Sequence, residues 1–204
     1  MLEGVANNIN GSTERKNVFL AANQDYLSLP ISNTITNSND IDLEIVFTLD
    51  DWNTTTIEGI TGFGDYLTNH FYVDKWLNPN QILIQIYSSG AAIYTRSFTV
   101  SPTLINTLKI QGGQMFFNGV EFGAGTGFNN LTVSLNQSST TVGASPDGSS
   151  ISGEITNFTI NGETFSLNEG NGLTSVGSNG TIVTRNTSHS DNLNYINHNV
   201  IKPI

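Results

Sequence analysis

Hydrophobic residues recur along this chain in short runs, and within the runs they alternate with polar ones. Ile41, Leu43 and Ile45 are separated by Asp42 and Glu44, and Ile82 to Tyr87 reads Ile-Leu-Ile-Gln-Ile-Tyr. A period of two places successive side chains on opposite faces, so these runs predict half-buried β-strands. Further runs are Val18 to Leu20, Tyr26 to Leu29, Ile57 to Gly62, Phe71 to Val73, Ala92 to Phe98, Ile105 to Ile110 and Met115 to Phe117. Beyond them lie Val120 to Phe122, Leu131 to Leu135, Thr141 to Gly143, Gly153 to Ile160, Glu163 to Leu167 and Thr181 to Thr184. Asn, Gly, Asp, Ser or Pro bound nearly every run, as turns require.

Several neighbouring runs read as hairpins. Ser88-Ser89-Gly90 and Gln111-Gly112-Gly113 join adjacent strands, and Asn118-Gly119 and Asn161-Gly162 carry the pair of residues that tolerates positive φ at both positions of a type I′ turn. The one helical stretch predicted, Asp74 to Leu77 ahead of Asn78-Pro79, is a single turn, and no repeat of solenoid or propeller length is visible. Many short strands without amphipathic helices predict an all-β fold, a two-sheet antiparallel sandwich, in place of a βαβ unit. Residues 1–17 show neither period and are read as an arm, 18–172 as the sandwich, and 173–204 as an extension carrying one strand that packs on the domain or on a neighbour.

Composition narrows the partners. Charged residues are only 12% of the chain and sum to −10, with no Lys/Arg run, so the protein repels phosphate backbones and nucleic acid is excluded as a partner. With no Cys there is neither a disulfide framework nor a thiolate metal site. No basic-then-apolar leader and no run of 18 apolar residues occur, so neither a signal peptide nor a membrane span is expected.

Several segments, taken in order, carry a family likeness. Asp25 to Leu29 resembles an opening edge strand, Ile41 to Phe47 a long second strand, and Ile60-Thr61-Gly62-Phe63-Gly64-Asp65 a strand with a small-apolar-Gly pattern. Asn106 to Ile110, followed by Met115 to Glu121, is similar to a hairpin closed by an Asn-Gly turn; Val142-Gly143-Ala144 and then Ser152 to Ile160 resemble a closing signature. Together they resemble the concanavalin A-like lectin/glucanase family in its laminin-G-like or pentraxin-like form, which implies a jelly roll. The tail, Phe165 to Gly172 and then Ser178 to Ile182, resembles the segment that succeeds such domains in bacteriophage virion proteins.

Catalytic chemistry is not encoded in a recognisable pattern. The family's glucanase branch implies a Glu-x-Asp-x-x-Glu strand, which is missing; Asp40, Asp42 and Glu44 share a strand face but read as a solvated one. His70, His189 and His198 are isolated, no Ser lies in Gly-x-Ser-x-Gly, and Gly123 to Gly127 is a loop without the Lys of a phosphate-binding turn.

Binding chemistry has candidates. Calcium, the metal the resemblance implies, would draw on loop acids: Asp50 and Asp147, with Asp51 and Asp65 beside them, each weighed against an ion-free turn acid. For a glycan, Trp52, Asp51, Asp65 and Tyr66 are the candidate contacts, with Trp52 expected to be exposed and Phe71 expected in the core. The resulting reading is a non-enzymatic protein. Its first form is a virion structural subunit (capsid decoration, head fibre or tail) that contacts other assembly subunits, copies of itself among them. The alternative is an extracellular or cell-surface lectin-like module that binds carbohydrate.

Overall fold

The computed structural model describes residues 16–19, 26–167, 174–186 and 195–196. Most strands follow the predicted runs, but Thr34–Asn37, Thr174–Val176 and Tyr195–Ile196 are strands where no run was expected, so the 173–204 extension carries more than one. In chain order they are β1 (Lys16–Phe19), β2 (Tyr26–Leu29), β3 (Thr34–Asn37), β4 (Leu43–Leu49), β5 (Glu58–Asp65) and β6 (Asn69–Lys75). Next come β7 (Gln81–Ser88), β8 (Ala91–Thr99), β9 (Asn106–Gln111), β10 (Gln114–Phe117), β11 (Val120–Phe122) and β12 (Thr132–Asn136). The remainder are β13 (Thr140–Val142), β14 (Gly153–Ile160), β15 (Glu163–Ser166), β16 (Thr174–Val176), β17 (Ile182–Asn186) and β18 (Tyr195–Ile196). Among the described residues the only helical elements are two three-residue 3-10 turns, Ser38–Asp40 and Gln137–Ser139.

Two eight-stranded sheets result. The first has the order β11-β10-β9-β4-β14-β1-β18, with β15 also against β14; the second has the order β16-β17-β2-β13-β5-β6-β7-β8. A two-stranded ribbon, β12-β3, completes the set. Neighbouring strands pair antiparallel, and the chain passes repeatedly from one sheet to the other, so the protein is an all-β, two-sheet antiparallel jelly-roll sandwich. β1 begins two residues ahead of the boundary expected between arm and sandwich and pairs with β14 and β18. Most of the expected arm and extension, with His189 and His198, lies outside the described residues.

Burial follows the alternation. Leu43, Ile45 and Phe47 of β4, Leu108 and Ile110 of β9, and Met115 and Phe117 of β10 meet Ile82, Ile84 and Ile86 of β7 and Phe71 and Val73 of β6 in one core. Two register shifts change the parity. In β14 the shift between Ile155 and Asn157 lets Ile155, Phe158 and Ile160 all enter the core, and in β5 a shift between Gly59 and Thr61 does the same for Ile60 and Phe63. The predicted Asn-Gly reversal is present, with φ of 51° at Asn118 and 78° at Gly119.

One expectation is corrected here. Asp74 is not in a helical turn; it and Lys75 are the last two residues of β6, because β6 hydrogen-bonds on both sides, to β5 and β7, and stays extended to its end.

The strand β5 is unusual on its outer side. Across from His70, Tyr72 and Asp74 of β6 it presents Gly64, Gly62 and Gly59. The 144–150 connection settles into that gap: a Cβ on Gly62 would lie 2.4 Å from Pro146 Cδ and 2.7 Å from the Phe71 carbonyl, and one on Gly59 would lie 2.1 Å from the Ser149 carbonyl. Gly62→Ala is therefore expected to destabilise the protein by about 1–3 kcal/mol, the cost of overpacking. Urea denaturation measures it, and an unchanged midpoint would show that the connection does not seat on β5.

Candidate functional site

The outer side of the second sheet carries a row of side chains that are buried although they point away from the core. His70 is 2% exposed, Tyr72 7% and Asp74 0%. Their registry explains the grouping: His70 faces Tyr87, Tyr72 faces Gln85 and Asp74 faces Leu83 across β7. The Tyr72 hydroxyl donates to Gln85 Oε1, which fixes that pair.

The aromatic rings form a ladder. His70 stacks on Tyr87 at 4.6 Å between centroids, on Tyr72 at 5.3 Å and on Tyr66 at 5.3 Å, with interplanar angles of 19°, 15° and 24°. Tyr66 is the outermost ring, 48% exposed, on the turn between β5 and β6. That turn is held by Asp65, whose carboxylate accepts from Leu67 N and Thr68 Oγ1, both at 3.0 Å. Burial pushes the His70 imidazole below its ordinary 6.5, against the opposing pull of the Asp65 and Tyr66 backbone and of the Asp147 and Asp65 carboxylates.

Beside the ladder lies a cleft of about 380 Å³ lined by Tyr26, Gly64, Ser139, Thr141, Pro146 and Ser150 among others. Its lining is uncharged and rich in hydroxyl groups. Thr141 Oγ1 is already engaged by the Ala144 carbonyl, and Ser139 Oγ donates to the Gly64 carbonyl, so the walls are pinned.

Asp74 sits at the other end of the row, sealed by the 144–150 connection. The Ser145 hydroxyl, which donates to Asp147 Oδ1, pulls the Asp74 carboxyl down, but burial, reinforced by Asp147, outweighs that and pushes it well above the usual carboxylate range. Calcium, the metal the resemblance implies, takes oxygen ligands in flexible geometry. Two carboxyls lie together here, Asp74 and Asp147, and Ser150 Oγ of the same connection is buried without a partner. Among the described residues no three acidic or imidazole side chains converge, so hydroxyls, backbone carbonyls and water would complete such a shell.

The sequence candidates divide accordingly. Tyr66 and Asp65 stand together at the ladder's mouth, and Asp147 stands beside Asp74, which sequence reading missed. Asp147 Oδ1 also caps its own turn, accepting from Ser145 Oγ at 2.5 Å and Ser149 N at 2.9 Å. Asp50 and Asp51 lie elsewhere, within electrostatic reach of Glu58, and Asp51 caps its turn by accepting from Asn53 N at 2.7 Å.

Trp52 is corrected. It is 8% exposed and packs against Phe47 and Phe117, at 6.2 and 5.8 Å between centroids, so its ring belongs to the core and offers no open stacking face. Phe71 is in the core as expected. Lys75, buried beside this group, is satisfied: its Nζ donates to the Thr54 carbonyl, to Thr54 Oγ1 at 2.6 Å and to the Thr56 carbonyl at 3.0 Å. Asp42 and Glu44 lie half-buried on the outer side of the first sheet, where Glu44 pairs with Lys109 at 3.7 Å.

No protein-family model and no curated protein matches the sequence. Among solved structures the chain is similar to domains LG4-5 of the mouse laminin alpha1 chain, with 12% identity and a TM-score of 0.49 over 84% of this chain and 46% of that one. It therefore spans less than half of that laminin fragment. It is also similar to galectin-1-L2 of Dario rerio, with 10% identity and a TM-score of 0.33 over 67% of this chain and 96% of the galectin.

The ladder has a pH signature. A histidine held below its unfolded value binds its proton more weakly in the native state, so its contribution is full above pH 6.5 and is lost as pH falls through that value. The wild type should lose stability to acid more steeply than His70→Phe, by up to about 1.4 kcal/mol per pH unit. Melting temperatures of both proteins between neutral and mildly acid pH test this; parallel profiles would mean that His70 does not titrate from a buried site.

Proposed function

We propose that this chain is a non-enzymatic recognition module that binds carbohydrate on the outer side of its second sheet. The half-exposed Tyr66 ring, backed by the His70 ladder and set beside an uncharged, hydroxyl-lined cleft, carries the reading. An aromatic face offers a pyranose its apolar side, and fixed hydroxyls around it select orientation. Holding the ring before the ligand arrives avoids an ordering cost on binding.

The acids on this side of the sheet support binding over hydrolysis. Asp65 and Asp147 cap turns, and Asp74 is sealed and shifted toward its neutral form, so they do not make up the open carboxyl pair that glycoside hydrolysis uses. A cation held by Asp74 and Asp147 would displace the Asp74 proton and fix the 144–150 connection that forms one wall of the cleft.

A second reading, a structural subunit of an assembly such as a virion, is favoured by the pairing of β1 with β18 at the edge of the first sheet. Segments from the two end regions of a chain that add strands to a sheet edge are one way in which subunits are strapped together.

Binding to a glycan array should be lost or fall by about tenfold or more in Tyr66→Ala, a change of about 1.4 kcal/mol or more. Tyr66 is exposed enough that its melting temperature should stay unchanged. An array on which the wild type binds nothing, or equal binding by the variant, overturns the reading. For the cation, calcium should raise the melting temperature of the wild type and leave that of Asp74→Asn unchanged; a wild-type melting temperature that calcium does not alter counts against the site.

A further inference from the structure

At one end of the sandwich the fold leaves large apolar side chains in water. Leu104 is 86% exposed, Val120 69%, Ile105 58% and Leu77 42%. Leu77 stands on the β6–β7 connection, Leu104 and Ile105 on the β8–β9 connection, and Val120 opens β11 just after the β10–β11 turn, and hydrogen bonds lace the three connections together. Val100 N donates to the Asn80 carbonyl at 2.8 Å and Asn80 N to the Trp52 carbonyl at 3.2 Å. Asn118 Nδ2 donates to the Ser101 carbonyl at 3.2 Å, and Asn118 Oδ1 accepts from Thr107 N at 2.8 Å.

The connection that bears Leu104 and Ile105 is tied to itself as well. Thr103 N donates to Asn106 Oδ1 at 2.8 Å, Asn106 Nδ2 donates to the Thr103 carbonyl at 2.9 Å, and Thr103 Oγ1 donates to the Ile105 carbonyl at 2.6 Å. Leu104 is thus presented outward by a braced loop, and covering it costs little further ordering. Fully burying one such side chain is worth about 1.5–3 kcal/mol.

Charge indicates the occupant. Residues 76–80, 100–108 and 118–120 contain no Asp, Glu, Lys or Arg, while the chain as a whole sums to −10. Two copies repel one another over most of their surface and least across this end. A two-fold contact uses the same patch on both copies, so no separate complementary surface is needed. We infer that this end is an interface between two copies of the chain, with Leu104 and Ile105 at its centre. The exposed acids Asp51 and Glu121 border it, so salt strengthens the association by screening them.

Sedimentation equilibrium on the full chain tests this. The wild type should form a dimer below about 1 mM, tighter at higher salt, and Leu104→Asp should weaken it by about tenfold or more. Leu67→Asp, at a side chain 79% exposed on the β5–β6 turn, is the control and should dimerise as the wild type does. A wild type that stays monomeric, a dimer indifferent to Leu104→Asp, or equal weakening by Leu67→Asp overturns the inference.

Discussion

The missing side chains on the outer face of β5 set up everything distinctive about this sandwich. Closing two sheets over an apolar core is the general solution for alternating strands, and it usually leaves the outer faces wet. Here Gly59, Gly62 and Gly64 open a trough beside β6, deep enough for Pro146 and Ser145 to descend onto the sheet. That descent seals Asp74 and forms a wall of the cleft. At the far end of the same trough, His70 is covered by rings instead of by a loop. A burial pattern normally reserved for a core has been built on the solvent side.

Two buried ionisable groups side by side are handled differently by the fold. Lys75 and Asp74 are adjacent in sequence, and both are fully buried. The ammonium of Lys75 meets three oxygens of the Thr54–Thr56 loop, so its desolvation is offset and it acts as a strut. The carboxyl of Asp74 has only the pull of the Ser145 hydroxyl, which donates to Asp147 Oδ1, and burial holds it well above the usual carboxylate range.

The core was legible because its signal is local. Ile82 to Ile86 and Leu43 to Phe47 place their hydrophobic residues by a period that any window of the chain displays, and Asn118-Gly119 dictates its own turn. The two register shifts were not legible: Ile60 and Phe63 share the core only because the pairing with β6 skips a residue, which depends on the partner strand. The site was partly legible. Tyr66 and Asp65 could be named from a polar turn, but the ladder behind them joins His70 to Gly64 and Tyr87, and that adjacency exists only once the strands are in register. Asp74 was obscured by Asn78-Pro79 downstream, although its alternation with Phe71 and Val73 through Tyr72 was a strand signal. Trp52 misled because the polar residues on either side report where the backbone runs, whereas a loop side chain of that size can turn inward beneath it.

The two surfaces lie so that each can operate without the other. Tyr66 precedes β6 and Leu77 comes after it, and a seven-residue strand at about 3.3 Å per residue sets them roughly 20 Å or more apart, at opposite ends of the sandwich. Two copies joined at the Leu104 end would therefore hold their aromatic ladders at the far poles, facing away from the contact and from each other. A single ring over a shallow cleft supports only weak binding to a sugar, since few atoms are buried and water competes for every hydroxyl. Presenting two such sites on one rigid body converts the second encounter with a repetitive surface into an intramolecular one, and affinity then rises without any further contact to the ligand. On the proposed arrangement the charge-free end would supply the strength of attachment, and the glycine trough its selectivity.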